Sequence, residues 1–567
     1  MLLRRKPVML LYIKYMRLQN YRNFKDVEMT FHEQSNYLVG ENAIGKSSFL
    51  RLLSLMSNGS GILEQDYDDP DKPIVITAEI HLLENEKEYF VDTPDNHTQT
   101  KRVRMEKHVD EIFPRLYDEE SGSELPLDMI RRIRYFSHSA TRPEEYVVSG
   151  QVYHQLTQEI IKWGGLNQDL SPETEAFIRH EEMYGPFDAS YYLSILTLSA
   201  VLSRQDRPRA DNMKFISLVA LKILTQIYNM YHSRAVPFDH TVIADGNGRR
   251  FLPLIVSIDE PEIHLHPYMQ RSILTYYKQL LNNEDENFCA LLKRLFDIDG
   301  LRGQMFIVTH STDSLVDDYR NIVRFYRNGA GRVCAACGAT FHFDEEIEKH
   351  LIMHFPEVKE ALYSRSVIIV EGETEYGCFQ LFGTTLDLRF DYYGICLINA
   401  RGESSISKIK KLLCFFKIPT VALYDADVKS GRNHESNVFF TDEICFEMDM
   451  VKAMINRGKR KSLDHIIYTA GGMHGKATAD MLKKACRKLD INYHNYPPRM
   501  LENISPRHVQ DMYVYYFAWM YSNKGVILGR LIGQCLEQDD IPPAFARVIQ
   551  AAGRLAKVTI EKENNSH

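Results

Sequence analysis

The stretch that decides the fold is GENAIGKSS at residues 40–48, which matches the pattern G-x-x-x-x-G-K-[ST]. An apolar run precedes it and a helical pattern follows, so the loop is expected to join a strand to a helix. In that setting backbone N–H groups and a helix N-terminus bind phosphate. A chance glycine-rich turn is the alternative. In this loop, Lys46 would reach the outer phosphates and Ser47 would hold Mg²⁺. The predicted nucleotide-binding residues are Gly40, Asn42, Gly45, Lys46, Ser47 and Ser48.

Two later apolar strands also end in residues suited to a nucleotide. One ends in Asp259 and Glu260, of which the first is expected to support the Mg²⁺ shell and the second to orient or deprotonate water. The other ends in His310, placed to sense the γ-phosphate. Either strand alone could be plain core. Together, in this order, they resemble the Walker B and switch-histidine series of ABC-type ATPases, and residues 20–24 resemble the opening of the branch that includes DNA-repair ATPases.

One part of that series is missing from the sequence. ABC-type ATPases carry a serine–glycine signature that opens a helix before the Walker B strand, and no clear copy is found. The segment DGNGRR at 245–250 lies too close to that strand for a helix and is interpreted as a hairpin turn. The helix-like run at 212–231 lacks the signature. This departure predicts slow ATP hydrolysis.

Two cysteines and two histidines have the spacing of a C2H2 zinc finger, with apolar residues at the two core positions, 341 and 347. Two thiolates and two imidazoles can complete a tetrahedral shell, so about one zinc per chain is expected. The alternative is two unrelated cysteines before an amphipathic helix. That helix is acidic, which favours a structural clip or a protein contact over DNA reading. The predicted zinc ligands are Cys334, Cys337, His350 and His354.

An acidic cluster is predicted after this segment. One buried strand ends at Glu371 and Glu375 lies one turn into the next helix, while a second strand runs into Asp425 and Asp427. Residues i and i+2 share a strand face, so both aspartates are expected to point at one site. If the two strands are parallel neighbours, the four carboxylates meet at the carboxyl end of the sheet. Oxygen ligands alone favour Mg²⁺ or Mn²⁺.

These residues resemble the Toprim fold shared by topoisomerases, primases and nucleases of the OLD (overcoming lysogenization defect) family, whose pattern is E-G-x-x-E followed by D-x-D. The resemblance implies Glu447 as a further metal ligand. It also implies Lys524, followed by an Ile-Pro-Pro segment, as the lysine that helps to stabilise the cleavage transition state. Lys476 is the rival lysine, and a solvated surface role is the alternative for both Glu447 and Lys524.

The order of these motifs resembles OLD proteins, with the Gabija nuclease subunit or a retron-associated OLD effector as the nearest subgroup. The predicted chain is α/β and has three parts, of which the resemblance implies the first and the last, while the finger, predicted from its spacing, departs from the family pattern. They are an ABC-type ATPase domain at 1–330 with a helical, dimerising insert at about 151–235, a C2H2-like finger at 331–356, and a Toprim nuclease domain at 357–567.

The function implied is an ATP-regulated, Mg²⁺-dependent DNA endonuclease in bacterial antiphage defence. The implied cofactors are ATP, Mg²⁺ or Mn²⁺, and zinc. The implied partners are DNA, further copies of the chain in a dimer or tetramer, and a helicase or a reverse transcriptase with its nucleic acid. The alternative is an ATP-gated DNA-binding or assembly protein of the DNA-repair type, whose Toprim domain does not cleave.

Composition sets wider bounds on these interpretations. The 567 residues are 44% hydrophobic and 25% charged, as in ordinary soluble proteins. No run of eighteen apolar residues predicts a membrane span, and nine cysteines fit no even disulfide framework, so a cytoplasmic setting is expected. The net charge of −8 argues against a simple electrostatic DNA coat.

Overall fold

The computed structural model describes part of the chain and divides it into two compact units. Unit 1 spans Met1–Phe341 and unit 2 spans His342–His567. The helical insert predicted at about 151–235 lies largely outside the described residues. The described residues are 12–58, 61–81, 100–127, 133–139, 152, 155–160, 198, 213–233, 237–245, 247–263, 265–431, 435, 437–471 and 475–564.

Unit 1 is built from two sheets with helices packed against them. Its strands are β1 (Tyr12–Tyr21), β2 (Phe24–Thr30), β3 (Ser35–Gly40), β4 (Ile74–His81), β5 (Thr100–Lys107), β6 (Arg115–Asp118), β7 (Glu124–Leu125), β8 (Arg134–Ser139), β9 (Ile243–Ala244), β10 (Arg250–Asp259), β11 (Gly300–Val308), β12 (Ile322–Arg327) and β13 (Val333–Cys337). Its helices are α1 (Lys46–Asn58), α2 (Met213–Tyr231), α3 (Pro267–Leu281) and α4 (Glu286–Phe296).

The strand order brings the ends of the predicted nucleotide strands together. One sheet has the order β2-β1-β4-β5-β6-β7 and is antiparallel. The other has the order β13-β12-β3-β11-β10-β8. Its strands β12, β3, β11, β10 and β8 run parallel, and β13 and β9 pair antiparallel at its margins. Because β11 lies between β3 and β10, the loops that follow these three strands share one edge.

The central strands are apolar because both of their faces are covered. Every residue of β3 is buried, as is nearly all of β10, and such strands read as continuous hydrophobic runs. Aromatic side chains fix α1 against this sheet: the ring of Phe306 lies 5.0 Å from that of Phe31 and 5.7 Å from that of Phe49 on α1. Strands β9 and β10 pair antiparallel, and the N–H of Asp245 donates to the carbonyl of Arg249 at 2.9 Å, as expected for the hairpin that the sequence predicts.

The predicted C2H2 finger does not form. Cys334 and Cys337 lie in β13, which pairs with β12 as the edge of the large sheet. Residues three apart on a strand point to opposite faces, and the Sγ of Cys337 is buried, where it accepts the N–H of Thr30 at 3.3 Å. The two thiols therefore do not point at one ion in this arrangement. His350 and His354 lie one turn apart on a helix of unit 2, and the described residues contain no group of His, Cys, Asp or Glu side chains that could hold zinc.

Unit 2 is an α/β unit with a small parallel sheet. Its strands are β14 (Ser366–Val370), β15 (Ile395–Asn399), β16 (Thr420–Tyr424), β17 (Val438–Phe440), β18 (Lys476–Ala477) and β19 (Arg499–Met500). Its helices are α5 (Glu345–Val358), α6 (Glu373–Thr385), α7 (Phe390–Tyr393), α8 (Glu403–Phe415), α9 (Phe446–Asn456), α10 (Arg460–Gly471), α11 (Ala479–Lys488), α12 (Val509–Ser522), α13 (Val526–Cys535) and α14 (Pro543–Asn564).

The sheet of unit 2 has the order β15-β14-β16-β17 with all strands parallel. The expected neighbours β14 and β16 are adjacent, and the long helix α14 packs against both. Each of these two strands is buried along its whole length. Their carboxyl ends therefore present the residues that follow them at one edge. Among the described residues, no helix has both the length and the apolar character that crossing a membrane requires.

Candidate functional site

The phosphate loop of unit 1 depends on two glycines with positive φ. Gly40 has φ +140°, and a Cβ there would lie 2.4 Å from the carbonyl oxygen of Phe325. Gly45 has φ +120°, and a Cβ there would lie 2.8 Å from the ring of Phe24. Glycine is the residue that tolerates both the dihedral angle and the close approach. Between them, Asn42 is exposed at the tip of the loop.

The ammonium of Lys46 is folded back over the loop. It donates to the carbonyl oxygens of Gly40 at 2.9 Å and of Glu41 at 2.7 Å. Burial lowers the pKa of Lys46 to about 8, although the carboxylates of Glu260 and Asp259 act in the opposite direction. A phosphate bound at this loop would supply the counter-charge that favours the protonated amine.

The residues predicted to complete the nucleotide site lie beside the loop. The Oγ of Ser47 is 3.5 Å from Oδ1 of Asp259. Glu260 has φ +52° and its N–H donates to the carbonyl of Val308 at 2.8 Å. The Nε2 of His310 is 3.9 Å from Oε1 of Glu260. Burial, and then the charge of Lys46, lower the pKa of His310, which favours a neutral imidazole here.

Sequence reasoning missed the residue that holds this histidine. The carboxylate of Glu262 accepts hydrogen bonds from the backbone N–H of His310 at 2.6 Å and from the side-chain hydroxyl of Thr309 at 2.8 Å. Gln270 of α3 anchors the same segment by accepting the hydroxyl of Ser311 at 2.8 Å. The sequence signal for Glu262 is that it is the third acid in the turn after β10. Its partner Thr309 lies 47 residues further along the chain, so local sequence could not predict this hydrogen bond.

The segment at 20–24 contacts the loop, as the resemblance implies. The guanidinium of Arg22 donates to Oγ of Ser48 at 3.1 Å and to Oδ1 of the buried Asp66 at 2.7 Å. The side-chain amide of Asn23 donates to the carbonyl of Ala43 at 3.2 Å. Arg22 therefore lies beside the helix start that follows the phosphate loop.

In unit 2, three carboxylates from three elements lie in one buried group. Glu375 on α6 is 6% exposed, Asp425 after β16 is 9% exposed and Glu447 on α9 is 1% exposed. Burial, and then the charges of Glu447 and Asp425, raise the pKa of Glu375. Burial, and then Glu371 and Glu447, raise the pKa of Asp425 to about 7. Carboxylates that raise one another's pKa in this way favour either a proton or a cation between them.

Lys524 is the cation of this group. Its Nζ lies 3.0 Å from Oε2 of Glu447 and 4.5 Å from the centre of the Tyr521 ring. Burial lowers the pKa of Lys524, but the attraction of Glu447 outweighs it and the net shift is upward. The rival, Lys476, is exposed on β18. Among the described residues, Lys524 is the lysine that forms an ion pair with one of these three acids.

Glu371 and Asp427 form the outer part of the site. The Oε2 of Glu371 is buried and has no hydrogen-bond partner among the described residues, and burial is the largest cause of its raised pKa. The expectation that Asp425 and Asp427 share a strand face is wrong, because β16 ends at Tyr424 and a 3-10 helix begins at residue 426. Asp427 is instead partly exposed and ion-paired with Lys488, a residue that the sequence did not indicate.

A divalent cation fits the chemistry of these residues. The donors are carboxylate oxygens, which Mg²⁺ and Mn²⁺ prefer, and one buried oxygen of Glu371 is unpaired. Within the described ranges, no three His, Cys, Asp or Glu side chains are gathered closely enough to hold a metal in their present arrangement. The case for a divalent cation therefore depends on the carboxylate donors, the unpaired oxygen of Glu371 and the mutual repulsion of the acids, and not on side chains already arranged around a metal.

Glycines let α13 approach α6 and so position Lys524. A Cβ on Gly529 would lie 2.1 Å from the carbonyl oxygen of Thr374, and one on Gly377 would lie 2.5 Å from that of Val526. The N–H of Gly525 donates to Oγ1 of Thr374 at 3.1 Å. Since Lys524 directly precedes this crossing, the small residues set how near its ammonium lies to the acids.

Gly529→Ala is expected to lower the free energy of unfolding by about 1–3 kcal/mol, because the added methyl overpacks a closed crossing. It should also displace Lys524 from Glu447. Chemical denaturation would measure the change. Gly475→Ala is the matched control, since its Cβ would meet only ordinary contacts at 3.7 Å or more. Equal stability of the two variants would contradict the proposed close packing.

Comparison with protein families gives one match in each unit. Residues 11–131 and 242–314 match the AAA ATPase domain. Residues 362–427 match the family described as overcoming lysogenization defect protein-like, TOPRIM domain. The first match includes the phosphate loop and the strand that ends at Asp259, and the second includes β14, β16 and the carboxylates from Glu371 to Asp427.

Similar curated proteins are DNA replication and repair proteins RecF. That of Exiguobacterium sp. is 45% identical over 47 residues, which are 8% of this chain and 13% of the relative. That of Leptospira biflexa is 28% identical over 108 residues, 18% of this chain and 28% of the relative. The chain thus spans less than a third of the length of these relatives.

Similar solved structures include C-terminal regions of OLD proteins and a head domain of an SMC protein. The C-terminal region of the Burkholderia pseudomallei OLD protein has 14% identity and a TM-score of 0.23, over 34% of this chain and 99% of that one. The Xanthomonas campestris counterpart has 18% identity and a TM-score of 0.24, over 37% and 100%. The SMC head domain of Thermotoga maritima has 13% identity and a TM-score of 0.26, over 57% and 97%.

The sheet order of unit 1, its phosphate loop and the AAA match agree on an ABC-type ATPase fold. The parallel sheet of unit 2 and its acidic edge agree with the TOPRIM match. The chain therefore joins an ATPase domain to a TOPRIM domain of the overcoming lysogenization defect (OLD) kind.

Proposed function

We propose that this protein is a Mg²⁺-dependent DNA endonuclease whose cleavage is controlled by ATP. The observation that carries the proposal is the buried group of Glu375, Asp425 and Glu447 with Lys524 against it. Buried acids that repel one another destabilise a fold unless they serve a ligand, and strongly perturbed groups of this kind concentrate at functional sites. The TOPRIM match at residues 362–427, which includes Glu375 and Asp425, supports this interpretation.

The metal ligands in this proposal are Glu371, Glu375, Asp425, Asp427 and Glu447. Bound divalent metal would supply an activated water and would neutralise the leaving oxygen of a phosphodiester. The ammonium of Lys524 is available to a phosphate oxygen because it is part exposed while Glu447 fixes its position. The ring of Tyr521 covers one side of that ammonium and limits its rotation. Lys524 thus offers an oriented positive charge where a phosphate carries its negative charge.

The direct test is cleavage of a supercoiled plasmid with Mg²⁺, with Mn²⁺ and with a chelator. Nicked or linear product that requires the divalent metal is expected. Intact plasmid under every metal condition, from folded protein, would refute the nuclease. It would leave the alternative of an ATP-gated DNA-binding protein without cleavage, which the similarity to RecF proteins favours.

The proposed biological setting is bacterial antiphage defence by a homo-oligomer, as the OLD resemblance implies. The carboxylates provide a specific test of this setting. A strain expressing the protein should resist phage, and a strain expressing the Asp425→Asn variant at the same level should not. Equal plaque counts with both alleles would remove the defence role while leaving the enzyme activity untouched.

Nucleotide binding, more than hydrolysis, is expected to control cleavage. The phosphate loop, Asp259 and Glu260 are in place, but the signature segment that closes an ABC-type site is not recognisable in the sequence. ATP and a non-hydrolysable analogue should therefore both inhibit the nuclease. Lys46→Ala removes a charged donor worth about 1.5–3 kcal/mol, so nucleotide affinity should fall by about 10–100-fold and cleavage should become insensitive to ATP.

The measurement is plasmid cleavage titrated with each nucleotide, beside nucleotide binding by calorimetry. Lys293→Ala, which removes a surface lysine of unit 1, is the control. A response to hydrolysable ATP alone would show that turnover drives the control. No response to either nucleotide would limit the ATPase unit to a role in assembly.

A further inference from the structure

Helix α11 carries its apolar and basic residues on opposite sides. Leu482, Ala485 and Cys486 are buried, and the helix packs against α12. This spacing, at i, i+3 and i+4, defines the core-facing stripe of an amphipathic helix. The other side carries exposed cations: Lys483, Lys484 and Arg487.

The charges of this side are concentrated and largely uncompensated. Helix α11 contains four lysines and arginines, at 483, 484, 487 and 488, and one aspartate, Asp480, in a chain whose net charge is −8. Neither Lys484 nor Arg487 forms an ion pair with any described residue. Lys483 lies 5.7 Å from the centre of the Tyr493 ring. A local positive patch on an acidic protein attracts polyanions in spite of the overall charge.

The row of basic side chains on α11 ends at the carboxylate site. Its last residue, Lys488, forms the ion pair with Asp427, the partly exposed carboxylate in the outer part of the site. A helix of ten residues is about 15 Å long, which is close to the rise of about four nucleotides of a DNA strand.

We propose that the exposed side of α11 binds the phosphate backbone of DNA and leads it to the carboxylates. Lys484 and Arg487 make the outer phosphate contacts, and Lys488 contacts the strand next to Asp427. The inference rests on the proposed function, because it names the surface that holds the nuclease's substrate. Contacts of this kind carry no sequence information but position the duplex.

The test is equilibrium binding of a fluorescent DNA duplex to the full chain, in EDTA and at several salt concentrations. Lys484→Glu/Arg487→Glu should weaken binding by at least about tenfold and make the slope of log K against log salt about two units less negative, since each phosphate contact contributes about 0.9. Arg554→Glu/Lys557→Glu, with two exposed cations three residues apart on α14, is the matched control. It should leave affinity within about twofold.

Equal losses in both double variants, or no loss in either, would overturn the inference. So would weaker binding of single-stranded RNA with unchanged binding of DNA. The outcomes separate this surface from the proposed function because binding is measured without metal. Wild-type protein that binds through α11 but never cleaves would refute the nuclease alone, and a double variant that binds and cleaves as wild type would refute the surface alone.

Discussion

Asp425→Asn is expected to lower metal-dependent plasmid cleavage by about 10³-fold or more. A metal site contributes several kcal/mol of transition-state stabilisation, and each 1.36 kcal/mol is a factor of about ten in rate. The substitution keeps the size of the side chain and the acceptor for the N–H of Phe446, which lies 3.2 Å from Oδ1. It removes the negative charge between Glu375 and Glu447, so metal affinity should fall together with cleavage.

The control is Asp391→Asn, an exposed aspartate on α7 of the same unit, which should cleave at the wild-type rate. Glu371→Ala should match Asp425→Asn, because Glu371 is the acid with the unpaired buried oxygen. Circular dichroism would establish that the variants are folded. Cleavage by Asp425→Asn within about threefold of wild type would place the metal chemistry elsewhere.

Asp425→Asn should also stabilise the protein at pH 8 in a chelator. The folded-state pKa of Asp425 is raised to about 7 by burial and then by Glu371 and Glu447, against about 3.9 in an unfolded chain. A raised folded pKa contributes stability that is complete below about pH 4 and is lost as the pH rises through about 7. The shift corresponds to on the order of 4 kcal/mol. Asparagine cannot ionise, so the variant should escape this loss.

Thermal unfolding between pH 4 and pH 8 would measure the effect. In a chelator, the wild type should lose stability across this range, while Asp425→Asn changes much less. Millimolar Mg²⁺ or Mn²⁺ should restore the wild type at pH 8, since a ligand that binds only the folded state stabilises it. A wild type whose stability rises from pH 5 to pH 8 in chelator would show that the carboxylates do not repel one another as described.

The order of the strands and loops was readable from the sequence, and the convergence of distant residues was not. The strands before the loop at 40–48, before Asp259 and before Glu371 all contain apolar runs next to polar ends, which local patterns reveal. Lys524 reaches the acids only because Gly377 and Gly529 let two helices touch, which no local pattern specifies. Its selection over Lys476 came from family resemblance.

Two expectations failed for local reasons that spacing alone does not show. Cys334 and Cys337 have finger spacing, but their segment pairs with β12 as an edge strand. Asp427 follows Asp425 at i+2, but the strand ends one residue before the pair. In both cases the extent of a strand decided where the side chains point, and that extent depends on pairing with neighbours that are remote in sequence. Lys488 and Glu262 were missed because their partners are equally remote.

The hydrogen bonds of Lys46 also imply a threshold for ligand selection. Its ammonium already donates to the carbonyls of Gly40 and Glu41, so a nucleotide that recruits it must replace both bonds, each worth about 0.5–1.5 kcal/mol net. The outer oxygens of a triphosphate can replace both hydrogen bonds of the Lys46 ammonium, whereas a monophosphate reaches only the backbone amides of the loop. Under the proposed control by ATP, this exchange would make the loop select triphosphates over the products of nucleotide breakdown.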